Sequence, residues 1–180
     1  MSGLVSDKYD FAANLDKTEE RERAISFTDA VYMPHGVFVV LDNSAEHTAT
    51  DIFAAELPIA TSQGSAHEAK IVELGGKTLP IDTYPNAVQA VKAKRAVAEF
   101  TDLPTAEAQV QADPSLKIVV PDPLIYQATA NYGVRKDTDQ RSLEAVNAAI
   151  AETEAAMVDA LADVGYMDIG ELGAMQKVAK

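Results

Sequence analysis

The 180-residue chain contains no cysteine. Without a thiol there is no disulfide staple, no thiolate metal site and no cysteine nucleophile. Basic residues are scarce as well: 15 Lys plus Arg stand against 28 Asp plus Glu, for a formal net charge of -13. Such a surface repels phosphate backbones and anionic bilayers, so no nucleic-acid or membrane-surface partner is expected. No apolar run approaches the roughly 18 to 20 residues that span a bilayer. Residues 1–11 show neither a basic start nor an apolar segment, so no signal peptide is read there; export would be specified by sequence outside this chain. No pair of histidines has metal-ligand spacing, and no G-x-S-x-G or phosphate loop occurs. Neither a metal nor a cofactor is expected.

What is present is core-forming material in an alternating order. Hydrophobic residues make up 47% and charged residues 24% of the chain, enough to bury a core as one domain or as two small lobes. Strands are expected at 36–41 (GVFVVL), 58–61, 78–81, 96–101 and 116–120, with helices at 65–74, 86–95 and 105–112. Pro80 places the 78–81 strand at a sheet edge. Strands separated by helices of about ten residues predict βαβ units, an α/β fold and a mostly parallel sheet. Beyond Asp137, Leu143, Val146, Ile150, Met157 and Leu161 recur at helical offsets, which predicts an amphipathic helix ending near Gly165. A further helical piece is expected at 169–178. Turn signals at 41–44 and 121–123 divide the chain into a middle lobe, 42–123, and a discontinuous lobe of 1–41 with 124–180. The two crossings would be the hinge.

Three segments carry candidate binding chemistry. Thr18 is a good N-cap for a helix opening Glu19-Glu20-Arg21. Arg21 is either a solvated residue among acids or a planar fork that grips a carboxylate through two hydrogen bonds. Gly64-Ser65-Ala66 follows a strand and opens a helix. That is either an ordinary capped turn or a set of free N–H groups offered to an anion. Asp102, just past a strand, reads as a turn residue or as the partner of an ammonium group.

The order of these pieces resembles a known pattern. Residues 4–29 (LVSDKYDFAANLDKTEERERAISFTD) resemble a signature in which a strand leads to T-x-x-R and then F-[ST]-D; here these are Thr18, Arg21, Phe27, Thr28 and Asp29. Residues 57–66 (LPIATSQGSA) resemble a strand followed by G-[ST]-[ST], and 94–102 (KRAVAEFTD) a second-lobe strand ending in an acid. YGVRK at 132–136 resembles the return crossing, and LEAVNAA at 143–149 the terminal helix. The signature is that of the bacterial extracellular solute-binding proteins, family 3, receptors of polar amino-acid uptake.

The resemblance implies the periplasmic-binding-protein type II fold, with two lobes and mostly parallel sheets. It implies that Arg21 binds a solute carboxylate, that Ser65 donates from the other lobe beside Gly64 and Ala66, and that Asp102 binds the α-ammonium. The implied protein is a periplasmic carrier and not an enzyme, with an ABC permease as partner. The alternatives are a cyclohexadienyl-dehydratase-like enzyme, with His35, His47 or His67 as the available base, and a sensor or interaction relative that binds no solute. His67 is the histidine near the proposed site, and alone it reads as a helix-surface residue. Phe27 and Tyr32 are expected to pack near the hinge.

Some positions depart from the family pattern. Asp16 stands where a hydroxyl residue usually meets the carboxylate, while Asn14 offers an amide two residues earlier. Ala66 removes one donor from the helix start. The family's opening βα units are not seen, so the first lobe is expected to be incomplete, with apolar surface and sheet edge open to a second copy.

Overall fold

Runs of β-branched and aromatic side chains set the strands, and capped segments set the helices. The computed structural model describes residues 2–163. In chain order the elements are α1 (Ser2–Val5), β1 (Phe11–Asp16), α2 (Glu19–Ala24), β2 (Ser26–Tyr32), β3 (Gly36–Leu41), α3 (Ala49–Ala54) and β4 (Ile59–Ser62). They continue with α4 (Ala66–Glu73), β5 (Thr78–Ile81), α5 (Tyr84–Lys92), β6 (Ala98–Asp102), α6 (Leu103–Ala112), β7 (Leu116–Val119), β8 (Ala130–Val134) and α7 (Gln140–Asp163). The helix expected at 169–178 lies outside the described residues.

The chain forms two compact units. One comprises the described residues up to Pro34 together with those from Ala128 onward; the other is His35–Gln127. The crossings therefore fall at 34/35 and 127/128, not at the 41/42 and 123/124 positions read from turn signals. The reason is strand pairing. β3 is hydrogen-bonded to both β6 and β7, so it belongs wholly to the second unit. YGVRK is likewise no crossing, since most of it is β8, the middle strand of the first unit's sheet.

The second unit is built on a five-stranded sheet in the order β5-β4-β6-β3-β7. β4 runs parallel to β5 and β6, while β3 runs antiparallel to β6 and β7. Four strands thus share one direction, with β3 reversed among them. β5 is the edge strand that Pro80 requires. One face of the sheet carries Phe38, Val40, Ile59, Ala98 and Phe100, packed with Ile52 of α3 and Ile71 of α4. Phe38 and Phe100 are cross-strand partners whose rings lie 4.8 Å apart, a contact worth about 1 kcal/mol beyond area burial. Gly36 is needed there because a Cβ would come within 2.5 Å of the Phe100 ring. The other face carries Ala60 against Ala87, Ala90 and Val91 of α5.

The first unit differs from the mostly parallel sheet expected of it. Its three strands, in the order β1-β8-β2, are antiparallel throughout. Both outer strands are irregular. β2 loses register between Phe27 and Ala30, where Thr28 repairs the ladder: its Oγ1 accepts from the Tyr132 N–H (3.0 Å), and its carbonyl accepts from Asn131 Nδ2 (2.9 Å). The Asp29 N–H is taken by Asn147 Oδ1 of α7 at 2.9 Å. The F-T-D signature is therefore structural here: it stitches a bulge and anchors α7. Leu143, Val146, Ile150 and Met157, all half-buried, form the apolar side of α7.

One polar side chain stands out in the second unit. Glu99 of β6 is 1% exposed, with Val39 and Ala60 as its cross-strand neighbours. Burial pushes its carboxyl from 4.5 up to about 7, the Asp102 carboxylate adding to the rise and the Gln109 amide opposing it. A carboxyl raised on folding holds its proton more tightly in the native state. Its stabilising contribution is full below the unfolded value, near 4.5, and is lost as pH rises to about 7. The span corresponds to about 3 kcal/mol. Asp51, Asp113, Asp137 and Asp139 are shifted the other way, by hydrogen bonds to Thr48, Lys92, Arg135 and Ser142 respectively, so their contributions fade only in more acidic solution. Urea midpoints measured across this window should fall with rising pH in the wild type and stay nearly level in Glu99→Gln. A wild-type midpoint that rises across the window contradicts this assignment.

Candidate functional site

In the second unit, the connections after β4 and β6 create a crevice position. From β4 the chain turns through α4 to β5 on one side of the sheet order; from β6 it turns through α6 to β7 on the other. α4 packs through Ile71 on the Phe38 face, whereas α6 brings Gln109 to Glu99 on the opposite face. The carboxyl ends of the parallel neighbours β4 and β6 thus flank a topological switch point, where open α/β sheets bind their ligands. Ser65 and Asp102 follow and end those two strands.

Local geometry fixes both residues. The turn after β4 closes through a hydrogen bond from the Ser65 N–H to the Ser62 carbonyl (3.1 Å), with Gly64 in the left-handed region at φ +69°. Ser65 then caps α4, its Oγ accepting the Glu68 N–H at 3.1 Å. Glu68 reaches back so that its Oε2 accepts the Gly64 N–H at 2.6 Å. A carboxylate of the chain itself thus sits on an amide expected for a solute anion. Ala66 begins α4 and brings a backbone N–H but no hydroxyl. Asp102 caps α6: its Oδ1 accepts the Thr105 N–H at 2.9 Å.

The remaining candidates lie in the first unit. Thr18 caps α2, its hydroxyl accepting the Arg21 N–H at 3.3 Å. Arg21 spends one guanidinium donor, on Nη1, on the Asp16 carbonyl at 2.9 Å. That bond fixes the side chain against the end of β1. A bidentate grip needs two of its other four donors. Asp16 thus meets Arg21 through its backbone, at the position where its side chain looked discordant. Asn14 sits in the β1 bulge with φ +55°, and its Oδ1 accepts from the Tyr32 hydroxyl at 2.8 Å. Arg21, Thr18 and Asp16 form one hydrogen-bonded group, and Gly64, Ser65 and Glu68 form another.

His67 does not match the helix-surface expectation. His67 is buried at 9% exposure, its ring 4.7 Å from Tyr126 and 5.4 Å from Phe100. His47 is exposed, its Nδ1 3.4 Å from Lys117 Nζ, and His35 bridges to Gln127. Among the described residues no group of three His, Asp or Glu side chains could hold a metal ion. None of the described helices is long and apolar enough to cross a membrane. Glu68 and Glu99 were missed as candidates, although each left a trace: S-x-x-E at 65–68, and an acid inside an apolar strand.

The fold is similar to that of solved amino-acid receptors. The arginine-bound form of a truncated ArgBP from T. maritima is 26% identical, with 84% of this chain and 71% of that chain covered and a TM-score of 0.75. A substrate binding protein of an amino acid ABC transporter is 22% identical over 90% of this chain and 73% of its own, with a TM-score of 0.79. The ancestral amino acid-binding protein AncCDT-1, a precursor of cyclohexadienyl dehydratase, is 20% identical over 92% and 72%, with a TM-score of 0.77. A comparison with curated proteins found no match. The architecture is the periplasmic-binding-protein type II fold. The model of the bacterial extracellular solute-binding proteins, family 3, matches residues 1–163, and the chain belongs to that family.

Proposed function

We propose that this chain is the solute-binding component of an ABC uptake system, working in the periplasm and handing an amino acid or related small carboxylate to a permease. The observation that carries the reading is the placement of Ser65 and Asp102 at the carboxyl ends of adjacent parallel strands. Arg21 supplies the bidentate cation for the solute carboxylate, supported by Thr18 and Asp16 and with Asn14 nearby in β1. Gly64, Ser65 and Ala66 supply backbone and hydroxyl donors once the Glu68 carboxylate moves aside. Asp102 pairs with the ammonium through the oxygen that does not cap α6. Zwitterion recognition needs this combination of cation, neutral donors and acid.

The catalytic alternative, a cyclohexadienyl-dehydratase-like reaction, draws on one fold relative described as a precursor of such an enzyme. It needs a general base at the site, and the ring of His67 is packed on Tyr126 and Phe100.

A thermal-shift titration with L-arginine, other amino acids and small organic acids tests the reading. A ligand of the native state should raise the midpoint with concentration, and Arg21→Ala and Arg21→Lys should both abolish the rise. A folded wild type that responds to none of these compounds contradicts it. A homodimer through the first unit is also part of the proposal. β1 and β2 are the outer strands of its sheet, and outer strands offer unpaired backbone groups to another copy. Sedimentation should then show a dimer at micromolar concentration; a monomer across the whole range contradicts it.

A further inference from the structure

Glu99 faces an apolar layer. Val39 and Ala60 are its cross-strand partners, and α5 lays Ala87, Ala90 and Val91 on the same face. α6 buries Leu103 and Ala106 and brings the Gln109 amide near the carboxyl. Glu99 Oε2 has no hydrogen-bond partner, and neither polar atom of the Gln109 amide makes a well-formed hydrogen bond.

The charged groups of the surrounding elements offer no counter-ion. On the same strand the neighbour is Asp102, another acid, and it raises the carboxyl further. On α5, Lys92 is committed to Asp113 at 2.6 Å. α6 adds Glu107, a third acid. On β7, Lys117 reaches away to the Asp42 carbonyl at 2.8 Å. β3 and β4, reading GVFVVL and IATS, carry no charge. A charge at Glu99 is therefore relieved only by admitting water, which requires a covering helix to part from the sheet. α6, whose Gln109 amide lies near the carboxyl without a well-formed hydrogen bond, is the weaker cover.

We propose that Glu99 is a proton-operated positioning residue for the Asp102 end of the second unit: neutral, it lets α6 seat on the sheet; ionised, it loosens α6 and the cap that holds Asp102. Its bearing on solute rests on the reading of Asp102 as the ammonium ligand, but the device itself does not. The quantitative form follows from proton linkage. An opening of α6 that hydrates Glu99 returns its carboxyl from about 7 toward 4.5, so the opening constant should rise about tenfold per pH unit between those values and then level off.

Hydrogen exchange of the full chain, without solute and corrected for intrinsic rates, reads this directly. Protection of the amides in 105–112 of α6 should fall about tenfold per unit from pH 5 to 7 and stay well below that of the slowest amides of α4, on the opposite face, which follow the global stability alone. In Glu99→Gln the α6 dependence should vanish. Equal protection of α4 and α6 at every pH would mean exchange by global unfolding alone and overturn the proposal, as would a pH-independent α6 in the wild type. The comparison of α6 with α4 within the wild-type chain requires no variant to fold. A failed thermal-shift screen would leave this result untouched, so the two readings fail separately.

Discussion

The second unit depends on a single reversed strand. β3 enters among strands that run the opposite way and pairs with β6 on one side and β7 on the other. Val37, Phe38, Val39 and Val40 are all fully buried, because helices cover both faces of the sheet. With β3 in place, β6 can pair with β4 on its remaining edge only. That pairing sends α4 and α6 to opposite faces and opens the switch point between them. The position of the candidate site is thus a consequence of backbone pairing before any polar side chain is considered.

The candidate binding residues of each unit are held by the chain itself. Ser65 and Asp102 each accept a backbone N–H from the helix they cap, and Arg21 is tied to the Asp16 carbonyl. Prepaid ordering of this kind lowers the entropic cost of binding. The exception is Glu68, whose carboxylate lies on the Gly64 amide and competes with an incoming anion. The net charge of -13 acts in the same sense, since an acidic surface repels anions.

Legibility in the sequence followed burial. β3, β4, β6 and β7 were readable from short runs rich in apolar and β-branched residues, and α4 from its Ser65 cap. β5 is a half-buried edge strand, and α5, read from spacing alone, starts two residues earlier behind Thr83, whose side chain makes no cap bond. α6 starts earlier than read, since Pro104 lies inside its first turn and Asp102, not a later residue, is the cap. The three-stranded sheet was not readable from pattern. FAANLD, SFTDAVY and ANYGV are broken by polar residues, and their ladder is completed by Thr28 and Asn131 side chains that no period reveals. α3 escaped notice because a six-residue helix owes its start to the Thr48–Asp51 capping box. The crossings were misplaced because a turn signal marks any reversal, and only pairing tells which unit receives the next strand. Arg21 and Asp102 were named as candidates through their order along the chain, whereas the backbone groups that hold them, the Asp16 carbonyl and the Thr105 N–H, were not readable.

The most direct test is a titration of the isotope-labelled chain with L-arginine, followed by the backbone amides of Gly64, Ser65 and Ala66 and by the Nε–H resonance of Arg21. The account predicts that these signals move together and saturate at one concentration, with the Gly64 amide reporting the exchange of Glu68 for the solute carboxylate. Saturable shifts confined to other residues, with these four signals unmoved, would contradict it.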